Sequence, residues 1–177
     1  MSIIRAERVD FQIAPGYFIE FYRLPNGEKR IGKTSAAIVC GFRKEYFNRL
    51  QSSAPKHLEA LLERGFTGCT LSVIVAERSN GVRGASKSET LSLDDFRAFV
   101  KFAAFDQGKK PALSIVDALF GIAIETVARQ AFGEEALTLE ELREHFCKHF
   151  AKTVNWLEED KEDAKAIDEH LLFLRIA

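Results

Sequence analysis

The chain has 177 residues and a mass of 19.9 kDa, the size of one ordinary domain or of two small ones on a shared core. Apolar residues make up 46% and charged residues 29%, a balance outside the disordered and fibrous classes. Twenty-five basic against 26 acidic side chains leave a net charge of -1, which as a whole-chain value argues against a general binder of nucleic acid or membrane surfaces.

Val9, Phe11 and Ile13 alternate with Arg8, Asp10 and Gln12, the pattern of a half-buried strand. Pro15-Gly16 makes a turn, and the aromatic and β-branched run from Tyr17 to Leu24 is a second strand. Pro25-Asn26-Gly27 turns the chain again, and Glu28 to Ile31 returns as a third. From Thr34 the period becomes helical. Ser52 or Ser53 is placed to cap a helix with Pro55 in its first turn, and Gly65 is placed to end it. Residues 69–77 alternate as a strand buried on both faces. Residues 78–88 (RSNGVRGASKS) are read as a loop. Ser92-Leu93-Asp94-Asp95 resembles a capping box opening a helix over 93–106. Pro111 starts a long apolar helix to about Phe132. Its Leu113, Val116, Leu119, Phe120, Ala123, Val127 and Ala131 are expected to make it the central buried helix. Thr138-Leu139-Glu140-Glu141 is a second capping box, before helices over 139–157 and 165–175.

These elements predict an α+β fold. A small, mostly antiparallel sheet and a helix-turn-helix occupy the N-terminal half, residues 1–90. A helical C-terminal half, residues 91–177, shares one core with it. Fifteen Phe against one Met and one Trp predict a core filled with large rings. Purely apolar runs are short, so no membrane-spanning helix of roughly 20 residues is expected, and Met1–Asp10 lacks an apolar signal core. Cys40, Cys69 and Cys147 are odd in number and form no CxxC pair, which fits a reducing, cytoplasmic setting.

The average charge conceals an asymmetry. Residues 1–110 hold 18 basic and 12 acidic side chains, net +6; residues 111–177 hold 7 and 14, net -7. Within 29–56, Lys29, Arg30, Lys33, Arg43, Lys44, Arg49 and Lys56 face a single acid, Glu45. The same stretch, KTSAAIVCGFRKEYFNRLQS, meets the local demands of two short helices joined by a tight turn. Ala37 is the small contact and Gly41 the turn residue able to take positive φ. Ala36, Cys40, Phe42, Phe47 and Leu50 supply the inner face. Arg43, Lys44, Asn48 and Arg49 then lie on the outer face of the second helix. There Arg pairs with guanine, Asn with adenine, and Lys or Arg with phosphate. Lys33, Thr34 and Ser35 open the first helix, where backbone N–H groups can meet a phosphate. Arg78, Arg83 and Lys87 in the following loop are placed as a wing on the DNA backbone.

The stretch from Tyr17 to Phe105, with its PNGEKRIG turn, AAIVCGFRKEYFNRL segment and SLDDFRAFV helix, resembles the DNA-binding regions of phage antirepressors and related mobile-element regulators. That resemblance implies sequence-specific binding of double-stranded DNA and a regulatory role. Such regulators commonly dimerise, and the helices over 139–157 and 165–175 are the expected dimer surface. The competing reading is a protein–protein adaptor whose acidic helical half binds a partner. No catalytic constellation, cofactor motif or metal set stands out. Gly81 to Ser88 lacks the glycine a P-loop needs before its lysine. His145 and His149 share a helix face without a placed third ligand. Asp163-Ala164-Lys165 lacks the strand a nuclease site needs.

Overall fold

The computed structural model describes residues 4–14, 16–75 and 86–151. The fold class is α+β, built on a curled six-stranded mixed sheet. The strands are β1 (Ile4–Arg5), β2 (Glu7–Ala14), β3 (Tyr17–Arg23), β4 (Lys29–Gly32), β5 (Leu71–Val75) and β6 (Ser86–Ser92). They stand in the order β1-β5-β6-β4-β3-β2; β1 pairs parallel to β5, and every other pairing is antiparallel. The helices are α1 (Lys33–Val39), α2 (Tyr46–Ser53), α3 (Pro55–Glu63), α4 (Leu93–Lys101), α5 (Lys110–Ala131) and α6 over residues 139–151, with a π-helical turn, Phe102–Asp106, extending α4. The chain divides into two compact units, Met1–Val116 and Asp117–Ala177, so residues 91–116 belong with the sheet.

The predicted strands over 8–13, 17–24 and 28–31 are present; of that over 69–77, β5 forms Leu71–Val75 with Ser72 exposed, so it is not buried on both faces, and residues 76–77 lie outside the described residues. β6 is a correction, because part of the expected loop 78–88 is a strand in the middle of the sheet. Its residues Ser88 and Thr90 lie on one face with Val73 and Leu71 of β5. Arg30 of β4 reaches across that face. Its Nε donates to Thr90 Oγ1 at 2.9 Å, and a terminal nitrogen donates to the carbonyls of Cys69 and Thr90 at 3.3 Å. Thr90 Oγ1 in turn donates to Leu71 O at 3.0 Å. Buried polar groups persist when each finds a partner, and here they do. On the same side Tyr22 and Leu24, of and just after β3, join Ala6, Val73 and Val75 in one apolar cluster. Two strands stand between β3 and β5, which would set them about 14 Å apart in a flat sheet, so this contact requires the curl.

The other face of the sheet carries α1 and α4. Ile31 and Leu91, cross-strand partners there, are fully buried. Ser92 Oγ accepts from the Asp95 N–H at 3.0 Å, the expected N-cap of α4. Asp95 does not close the box. Its buried carboxylate accepts instead from the Thr67 N–H at 2.6 Å and the Thr67 hydroxyl at 3.0 Å, tying the approach to β5 onto α4. The second box forms in full: Glu141 accepts from the Thr138 N–H and hydroxyl at 2.8 Å, and the Glu141 N–H donates back to Thr138 Oγ1 at 3.2 Å. These bonds, the backbone one foremost, hold the Glu141 carboxyl below the usual range. α3 starts at Pro55 with Ala54 as N-cap, so the cap falls after the serines and not on them.

α5 corrects two expectations. It is long and apolar enough, by length and composition, to cross a membrane. Nor is it the central buried helix. Ala112, Ser114, Ile115 and Ala118 are its buried residues, while Leu113, Leu119, Phe120, Ala123, Val127 and Ala131 are exposed. The apolar residues counted as core therefore lie mostly on the uncovered side.

Asp95→Ala leaves two Thr67 donors without a buried acceptor and should destabilise the first unit by about 2–3 kcal/mol in urea unfolding. Asp95→Asn keeps one acceptor for the Thr67 N–H and should lose less.

Candidate functional site

The site is built where α1 ends. Cys40 is its C-cap, Gly41 follows at φ +81°, and two backbone bonds close the motif: Gly41 N–H to Ile38 O and Phe42 N–H to Ala37 O, both 2.9 Å. An added Cβ on Gly41 would sit 3.3 Å from Cγ and Cδ of Pro111. Positive φ and that close approach both demand glycine. The turn delivers the Phe42 ring onto Phe99 and Phe102, with centroids 5.3 and 6.4 Å away. Ala36, Ala37 and Cys40 are fully buried as expected. Burial alone pushes the Cys40 thiol far up, so it is no nucleophile.

The second helix begins later than the spacing suggested. α2 starts at Tyr46, so Arg43 and Lys44 lie on the connection and not on a helix face. The cause is the capping bond of Phe42, which turns the chain inward before α2 can start. Within α2, Leu50 is buried, and the half-buried Tyr46 and Phe47 stack toward Phe99 at 5.7 and 4.6 Å. Asn48 and Arg49 are exposed. α3 follows directly, and its His57 Nδ1 lies 3.2 Å from the Tyr46 hydroxyl. Burial raises the pKa of that hydroxyl, which keeps it neutral.

Gly41, Phe42, Arg43, Glu45, Tyr46, Arg49, Ala54, His57, Gln107 and Lys109 line one open cavity of about 450 Å³. Its floor is aromatic and its rim carries three cations. Arg43 and Arg49 have no ion-pair partner among the described residues, and Lys109 Nζ sits 5.0 Å over the Phe42 ring. Lys44 is 3.7 Å from Glu45. Lys109, Tyr46 and His57 were not singled out from the sequence, because nothing local joins residue 109 to residue 42. The cation–aromatic contact is made by the fold.

The other sequence candidates do not converge here. Ser35 is buried: its hydroxyl donates to Gly32 O at 3.0 Å and accepts from the Glu20 N–H at 3.2 Å. Lys33 is ion-paired to Glu89. Thr34 lines a separate cavity of about 410 Å³ that also holds Asp10 and Glu20, an unfavourable setting for a phosphate. The seven-residue α1 therefore supplies no phosphate cradle. Lys87 stands exposed on β6 and not on a loop. Arg78 and Arg83 lie outside the described residues, as do residues 165–175 and Asp163-Ala164-Lys165. A larger cleft of about 600 Å³ lies beside Arg5, Arg8 and Arg23, but Arg8 is paired with Asp10 and Glu20, and Arg23 with Glu7. Among the described residues no three His, Cys, Asp or Glu side chains gather as metal ligands.

Gly41→Ala should destabilise the first unit by about 1–2 kcal/mol from its left-handed backbone alone. It should lose more than Gly16→Ala, which shares the positive φ but meets open space; paired urea titrations measure the difference.

No family model, no curated protein and no solved structure matches the chain.

Proposed function

We propose that this protein is a DNA-binding regulator that docks double-stranded DNA on the surface formed by the 41–45 connection, α2 and Lys109. The observation that supports the reading is the pair Arg43 and Arg49, without an ion-pair partner among the described residues, rimming one cavity with Lys109 while Glu45 is the sole acid among its lining residues. Surface cations already neutralised by acids in ion pairs release few counterions from a phosphate chain; unpaired ones release more. Lys33 and Arg30 belong to the first kind, since Glu89, Glu28 and Thr90 hold them. Arg43, Arg49 and Lys109 belong to the second.

In this reading α2, about 12 Å long, presents Asn48 and Arg49 to base edges in the major groove, where amide and guanidinium each make paired bonds. Arg43 and Lys109 meet the flanking phosphates and set the register; Lys44, paired with Glu45, contributes less. The aromatic floor fixes the cations in place. The resemblance of the Tyr17–Phe105 stretch to phage antirepressors and mobile-element regulators supports a regulatory role of the same kind.

Fluorescence anisotropy with labelled duplexes tests this. Binding should weaken steeply as salt rises from about 50 to 200 mM. Arg49→Ala should weaken it by about 1–3 kcal/mol and relax sequence preference, whereas Arg43→Ala should weaken all duplexes alike. Lys33→Ala should leave affinity unchanged. Absence of duplex binding at about 50 mM salt, or wild-type affinity in an Arg43→Ala/Arg49→Ala chain, defeats the proposal.

A further inference from the structure

α5 carries an apolar stripe, exposed at Leu113, Phe120, Ala123 and Val127 and half-buried at Val116. Leu113, Val116, Phe120, Ala123 and Val127 are spaced by three, four, three and four residues, the alternation of a helix that packs along a second helix. Phe120 is 63% and Val127 65% exposed, and the exposed Leu119 and Ile124 widen the stripe on its two flanks. The opposite side of the helix is different in kind. Ser114 is buried there with its hydroxyl on Lys110 O, and Arg129 pairs with Glu125. Single exposed apolar residues are ordinary on any protein, but a contiguous row over two heptads marks a contact surface.

The ends of the helix carry opposite charge. Lys109 and Lys110 open α5; beyond its Gly133 turn stand Glu134 and Glu135. We propose that α5 is a homodimer interface, pairing antiparallel with α5 of a second copy of this chain. One register meets every requirement at once. It sets Phe120 against Ala123 of the second copy, large against small, and Val116 against Val127. The same register brings Lys110 beside Glu134, and two-fold symmetry makes each contact twice. Parallel pairing would oppose Phe120 to itself, lysines to lysines and glutamates to glutamates, which repels. The expected dimer surface thus moves from helices 139–157 and 165–175 to α5. A lipid bilayer is the rival occupant, since the helix spans about 33 Å at 1.5 Å per residue. Against it, Asp117 is exposed beside the stripe, and Glu125 and Arg129 sit on the far side, where hydrocarbon would have to solvate them. The inference stands on α5 and is independent of DNA binding.

Sedimentation equilibrium of the full chain at micromolar concentration, without DNA or lipid, should give twice 19.9 kDa. Phe120→Glu should weaken self-association about tenfold or more, as loss of a central apolar anchor does, with an unchanged circular dichroism spectrum. Lys110→Glu and Glu134→Lys should each weaken the dimer, and the two together in one chain should restore it. A monomeric wild-type chain overturns the proposal, as does a dimer that a folded Phe120→Glu variant leaves intact. A monomer that co-sediments with phosphatidylcholine vesicles assigns the face to a bilayer instead. A double charge variant no tighter than the single ones overturns the antiparallel register.

Discussion

The basic surface depends on one ring. Phe99 of α4 is fully buried and lies within 6.5 Å, centroid to centroid, of Phe42, Tyr46, Phe47 and Phe102. Those partners come from the connection after α1, from α2 and from the π-helical turn. Aromatic pairs at these distances add to the stabilisation from buried area and prefer particular tilts. The connection that carries Arg43 and Lys44 is short and has no regular structure of its own. It is held because Phe42 is inserted at one end and Tyr46 at the other. The backbone that carries Arg43 and Lys44 is thus held by apolar contact beneath it.

Where the sequence was legible, one local cause decided the structure. Alternation placed β2 and β5, aromatic and β-branched composition placed β3, and Pro and Gly placed the turns and the cap at Gly65. Thr138 and Glu141 placed the start of α6. The reading failed where the cause was non-local. β6 has Ser88 and Thr90 where a hydrophobic pattern was sought, because its buried face is satisfied by Arg30, sixty residues away. The start of α2 slipped because the period of Phe42, Phe47 and Leu50 was taken as one helix, whereas Phe42 belongs to the cap of α1. In α5 periodicity located an apolar face correctly but not what covers it, since periodicity reports hydrophobicity and not contact. Of the residues proposed for the site, Arg43 and Arg49 were visible as charge and Asn48 as an outward amide, whereas the contact of Lys109 with Phe42 and that of His57 with Tyr46 required the fold.

The charge count reads differently once partners are known. Several of the basic residues in the N-terminal half serve the sheet. Arg30 is buried in it, Arg8 and Arg23 brace β2 and β3, and Lys33 ties α1 to β6 through Glu89. Arg43, Arg49 and Lys109 are among those left without an ion-pair partner in the described residues. Charge density along a sequence therefore overstates the available field, and its usable part is the fraction left over from folding.

The place of β6 between β4 and β5 also has a consequence in time. β2, β3 and β4 can pair as soon as they leave the ribosome, but the free edge of β4 must wait for residues 86–92. Sixty residues separate Arg30 from Thr90, about 3–12 s of synthesis at 5–20 residues per second. Through that interval the nascent meander exposes an open strand edge, the usual template for pairing with a wrong chain. The edge reads Lys-Arg-Ile-Gly. Charge on an open strand edge disfavours pairing with a wrong chain, and Lys29 and Arg30 put two cations on this one.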